Sequence, residues 1–114
     1  MNQTISINIA GGFPSYQITF SADPASVPFG QTATITYALA SKGFKIHGIN
    51  LQRDPFASTD EMTWAVPKDS QSLILTDVNS DPRVTQFGLE IIFEDSHGNR
   101  FSSTDPVVVN EGED

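Results

Sequence analysis

Apolar and polar residues alternate along most of this chain. Side chains on a β-strand point to opposite faces in turn, so a strand buried on one side reads apolar, polar, apolar. Residues 4–9 do so with Ile5, Ile7 and Ile9. Gly11, Gly12, Phe13 and Pro14 break the run, and Tyr16, Ile18 and Phe20 resume it. Residues 21–30 form a turn-rich connection with two prolines. The clearest strand follows, from Gln31 to Leu39. Ala33, Ile35, Tyr37 and Leu39 share one face, and Thr32, Thr34, Thr36 and Ala38 share the other. β-Branched threonine suits a solvated strand face.

After the turn at Ser41, Lys42 and Gly43, the pattern changes phase. Phe44 and Ile46 sit on even positions, Ile49 and Leu51 on odd ones, with Gly48 at the switch. One inserted residue restores the inward face, so the phase change predicts a β-bulge near Gly48. Residues 53–61 read as a loop. Met62, Trp64 and Val66 then alternate as a short strand, with Trp64 assigned to the core. Residues 72–76 carry Leu73, Ile74 and Leu75, and residues 77–83 read as another loop. Phe87, Leu89, Ile91 and Phe93 share one face of the next strand. Ile92 points the other way, between Glu90 and Glu94. Residues 95–99 form a hairpin turn in which Gly98 takes positive φ. Residues 100–103 return. Asp105-Pro106 interrupts, and Val107, Val108 and Val109 close the ordered chain as an edge strand. Asn110 to Asp114 reads as an acidic flexible tail.

No run has the helical period. The pattern predicts an all-β domain of seven to nine strands over residues 1–109, arranged as an antiparallel sandwich. Four prolines follow Asp, at Pro24, Pro55, Pro82 and Pro106. Pro lacks a ladder donor, and Asp bonds its own nearby backbone in turns, so these dipeptides terminate strands.

Composition narrows the partners. Fourteen acidic against six basic residues give a formal net charge of −8. That field repels nucleic acid and anionic membrane surfaces. Charged residues are only 18% of the chain, so the polar surface rests on Ser, Thr, Asn and Gln. There is no cysteine, which excludes disulfides, zinc–thiolate sites and thiol catalysis. Residues 1–9 alternate instead of forming an apolar run, so they do not read as a signal peptide. No stretch approaches the length of a membrane span. The expected location is cytoplasmic.

Residues 26–37, from Ser26 through Phe29, Gly30 and the threonine strand to Tyr37, resemble the opening of many immunoglobulin-like domains. The segment from Leu89 to Val109 resembles their last hairpin. The resemblance spans residues 22–109 and implies an immunoglobulin-like β-sandwich whose usual inter-sheet cysteines are replaced by apolar residues. The stretch Phe101 to Asn110, with Asp105-Pro106-Val107-Val108-Val109 at its centre, is similar to the DP-EP family of small bacterial proteins. That likeness implies no activity.

Candidate chemistry is sparse. Asp77, Asn79 and Asp81 have the oxygen spacing of a calcium loop's first ligands, but Pro82 and Gly88 stand where an EF-hand needs Gly and Glu. A looser site would add Asp60 or Glu61. Glu94, Asp95, His97 and Asn99 cluster at the predicted hairpin, where solvated polar groups are the plain reading. His47 has no Gly-x-Ser-x-Gly elbow to serve. Glu90 and Glu94 are neighbours on a wet strand face. Trp64 with Phe56 is an alternative aromatic platform. The expected function is a non-enzymatic protein-interaction or structural domain, with self-association as a homodimer and no cofactor. The alternative is a module binding calcium or carbohydrate at the sandwich loops.

Overall fold

Alternation becomes pairing in a computed structural model that describes residues 1–53, 62–104 and 106–112, with Arg53 described by its backbone alone. Ten strands form among the described residues: β1 (Asn2–Ala10), β2 (Gln17–Phe20), β3 (Ala25–Val27), β4 (Thr32–Leu39), β5 (Lys45–Arg53), β6 (Met62–Ala65), β7 (Ser72–Val78), β8 (Thr85–Glu94), β9 (Arg100–Ser103) and β10 (Val107–Asn110). They build two sheets packed as a sandwich. The first has the order β2-β1-β4-β7-β6; the second has β3-β10-β8-β5, with β9 also paired to β8. β5 runs along one side of β8. β9 and β10 lie end to end along its other side. Between them the Pro106 carbonyl accepts a hydrogen bond from Leu89 N at 2.9 Å. The residue before it, Asp105, lies outside the described residues, as does the segment 54–61.

Two expectations about the sheets are corrected. The strands number ten among the described residues instead of seven to nine, and the sheets are mixed. β1 pairs parallel with β4, and β3 parallel with β10. Parallel neighbours require a long crossover. Residues 11–31 supply one between β1 and β4, threading β2 and β3 on the way. β3 escapes the alternation pattern because three residues between prolines are too few to display it, yet its Ala25 and Val27 are both buried.

The segment Val107 to Val109 is not an edge. β10 is bonded on both sides, and the outer strands are β2 and β6 in one sheet, β3, β5 and β9 in the other. Asn110, read as the start of a flexible tail, is fully buried as the last residue of β10. Glu111 N still donates to Val27 O at 2.9 Å.

The core is where period two placed it. Ala33, Ile35 and Tyr37 of β4 and Phe87, Leu89, Ile91 and Phe93 of β8 are buried, each set on its own sheet. Ile5, Ile7, Leu73, Leu75, Ile46 and Val108 complete the layer between them. Truncating either phenylalanine to alanine costs about 3–5 kcal/mol by transfer and cavity terms. The bulge falls where the phase changed: the β5–β8 register shifts between Ile46 and Gly48, leaving His47 as the extra residue. Gly98 closes the β8–β9 hairpin at φ 82°.

Candidate functional site

The first sheet turns a broad face to solvent, and its cross-strand register sets what that face carries. One row reads Asn2, Thr34, Thr76, Thr63 across β1, β4, β7 and β6. The next reads Thr4, Thr36, Ile74, Ala65, and a third Ser6, Ala38, Ser72. On β2, Thr19 lies beside Asn8. Among the described residues no ionisable side chain stands on this face. The α-amino group of Met1, donating to Thr32 O at 2.9 Å, marks its rim. Short hydroxyl and methyl side chains on strands about 4.8 Å apart make a low, even surface. The threonine face of β4 was legible from alternation, but its extension over β1, β7 and β6 needed the pairing order.

Charge gathers elsewhere. The outer face of the second sheet carries Lys45, His47, Glu90, Glu94 and Arg100. His47 Nε2 lies 3.2 Å from Glu94 Oε1, and Arg100 Nε 3.7 Å from the same oxygen. Asn50 donates to Glu90 Oε1 at 2.6 Å. These are cross-strand neighbours on a wet face, as the sequence implied. Ile92 stands among them, half-buried.

At one end of the sandwich, Gly43, Phe44, Lys45, Gln71, Glu94, Asp95, Ser96 and Gly98 line a cavity of about 500 Å³. Asp95 looks like its acid, but its bonds are committed. Oδ1 accepts from His97 N and Asn99 N, both at 2.9 Å. Oδ2 accepts from Tyr16 O–H at 2.9 Å and Asn99 Nδ2 at 3.1 Å. Burial opposes the charged form, but the bonds from Asn99, Tyr16 and His97 outweigh it and hold the carboxyl at about 2. The same burial, with Asp95 beside it, raises the Tyr16 hydroxyl. Tyr16 also packs on Phe101 and Phe44, with ring centroids at 4.4 and 5.4 Å. Asp95 therefore organises the hairpin, and His97 sits exposed at its tip.

The proposed calcium residues separate. Asp77 and Asn79 turn into the sandwich and are fully buried. Asp77 Oδ1 accepts from Asn110 Nδ2 at 3.0 Å, joining the two sheets. Asn79 Nδ2 donates to Val27 O at 2.9 Å and Glu111 O at 2.8 Å. Asp81 stays at the surface with Arg83, at 2.6 Å from its Nη2. The side-chain bond from Arg83 lowers the Asp81 carboxyl to about 2. Among the described residues no three or more His, Cys, Asp or Glu are grouped to hold a metal ion. Asp60 and Glu61 lie outside those residues.

Trp64 departs from its core assignment. β6 is an edge strand, so the ring lies at the sandwich margin and stays 44% exposed. It rests against β5: its Cη2 is 3.1 Å from the point a Cβ on Gly48 would occupy. Its suggested companion, Phe56, lies outside the described residues.

Over residues 1–112 the sequence matches the DP-EP family. No curated protein matches it. Among solved structures, it is similar to the inclusion body protein PixA of Burkholderia cenocepacia J2315. That likeness has 7% identity and a TM-score of 0.43, covering 97% of this chain and 95% of the other.

Proposed function

The chain belongs to the DP-EP family, and from that premise we propose that it is a non-enzymatic protein-interaction domain working through the outer face of the β2-β1-β4-β7-β6 sheet. One observation carries the reading. A chain of net charge −8 leaves a five-stranded face without an ionisable side chain among the described residues. Interface cores are depleted of charge relative to the remaining surface, and this face has that depletion. The committed bonds of Asp95 and the internal bonds of Asp77 and Asn79 leave those groups structural duties.

An immunoglobulin-like reading of the framework is part of the proposal. What supports it is the order β4-β7-β6 facing β3-β10-β8-β5. That matches the B-E-D and G-F-C strands of such sandwiches, with β3 added beside G. β1 and β2 are then an appended pair that widens the first sheet. Fold alone does not assign a partner.

A photo-crosslinking residue at position 36, in cells making the full chain, tests the reading. A discrete crosslinked protein band is expected from position 36 and not from position 92 on the other sheet. No band from position 36, or equal bands from both, overturns it.

A second reading rests on Trp64. A half-exposed indole against a glycine is a stacking platform for a sugar ring. Titration with oligosaccharides, followed through this single tryptophan's fluorescence, is expected to shift its emission if the platform is used.

A further inference from the structure

We infer that the partner of the uncharged face is the same face of a second copy of this chain. The inference rests on the reading above and names the occupant of that surface. Three observations carry it.

The first is electrostatic. Two chains of net charge −8 repel one another. Among the described residues no carboxylate stands on the first sheet's outer face: Asp69, Asp81 and Asp95 lie in loops, Asp77 is buried between the sheets, and Glu90 and Glu94 lie on the outer face of the second sheet. Stacking first sheet on first sheet puts each second sheet one layer further out, with sheets about 10 Å apart. Glu90 and Glu94 of one copy are then about 30 Å from those of its partner, well beyond the Debye length of about 8 Å. End-to-end contact would bring the loop carboxylates together.

The second is self-complementarity. Ile74 and Ala65 lie in one row with Thr4 and Thr36, giving an apolar half beside a hydroxyl half. A two-fold axis lying between the two faces along this row lays Ile74 and Ala65 on their own copies and the hydroxyls on theirs, so apolar meets apolar in an isologous contact. The third is area. Strands of these lengths cover roughly 500 Å² of flat sheet, so a pair buries about 1,000 Å². That reaches the lower bound of a specific interface and predicts a weak, reversible dimer.

Sedimentation velocity of the full chain from micromolar to millimolar concentration tests this. The expected result is a monomer–dimer equilibrium in the wild type. T36K and T4K each weaken it at least tenfold, while I92K leaves it unchanged, with circular dichroism confirming that every variant folds. A strict monomer at millimolar concentration overturns the inference while leaving the broader reading to the crosslinking result. A dimer that survives T36K and T4K pairs through another surface and overturns the inference, again leaving the broader reading to the crosslinking result.

Discussion

Replacing Asn79 by aspartate changes almost no volume and removes the donors that tie two sheets together. Asn79 is 1% exposed, just beyond the end of β7. Both amide hydrogens are used, one on Val27 O at 2.9 Å and one on Glu111 O at 2.8 Å. Its backbone accepts from Gly30 N and donates to Gln31 O. The side chain thus holds the first sheet to β3 and to the segment after β10. In Asn79→Asp, two carbonyl oxygens face a carboxyl. An unpaired buried charge costs about 3–5 kcal/mol, so the group retains a proton instead. Protonated, it returns one donor and leaves one carbonyl unsatisfied, for a loss of about 1–3 kcal/mol.

The pH dependence follows from that preference. The new carboxyl has a folded pKa above its unfolded value of about 3.9. The folded state then binds more protons than the unfolded one, and stability falls as pH rises through that window. The expected slope is about 1.4 kcal/mol per pH unit until the raised folded pKa is reached. Urea unfolding of both proteins from about pH 4 to pH 8 gives the difference directly. A penalty below about 1 kcal/mol that does not change with pH would refute the clamp.

Three further perturbations probe other parts of the framework. The Tyr37 hydroxyl is buried with no hydrogen-bond partner among the described residues, so Tyr37→Phe is expected to raise stability by about 1 kcal/mol in urea; an equal loss would show a bonded hydroxyl. Asp95 has its folded carboxyl depressed to about 2, so its contribution is present above the unfolded value near 3.8 and lost as pH falls through about 2. Asp95→Ala is therefore expected to melt earlier at neutral pH and to lose less stability on acidification, by thermal melts across that window; parallel acid limbs would contradict it. Gly48→Val forces the Trp64 ring off β5, since even a Cβ would lie 3.1 Å from it; a red shift in tryptophan emission is expected, and unchanged emission would mean the ring does not rest there.

Much of the architecture was legible because burial on one side imposes period two. The odd positions of β4 and β8 and the bulge beside Gly48 followed from that rule. Pairing order did not follow, because alternation says which way a side chain points and not which strand lies beside it. Hence β1 against β4 in parallel, and β10 enclosed between β3 and β8, were missed. Trp64 has the right phase for a core residue, yet it sits at an edge where the second layer ends. Asp77 continues the inward phase of Leu73 and Leu75, but its charge made a loop the natural reading. Its bond to Asn110 is long-range and leaves no local trace. The uncharged face had one visible strand in Thr32, Thr34 and Thr36. The scarcity of charged residues hinted at more, but only register assembled the rows.

A distance between two copies tests the pairing of first sheets most directly. The chain has no cysteine, so Ile92→Cys places a single spin label on the outer face of the second sheet. With first sheets stacked, three layer spacings of about 10 Å plus the label tethers put the two spins near 40 Å apart in a pulsed dipolar measurement at millimolar protein. Spins closer than about 20 Å would mean the second sheets meet instead, and no dipolar coupling would mean the copies do not pair at all.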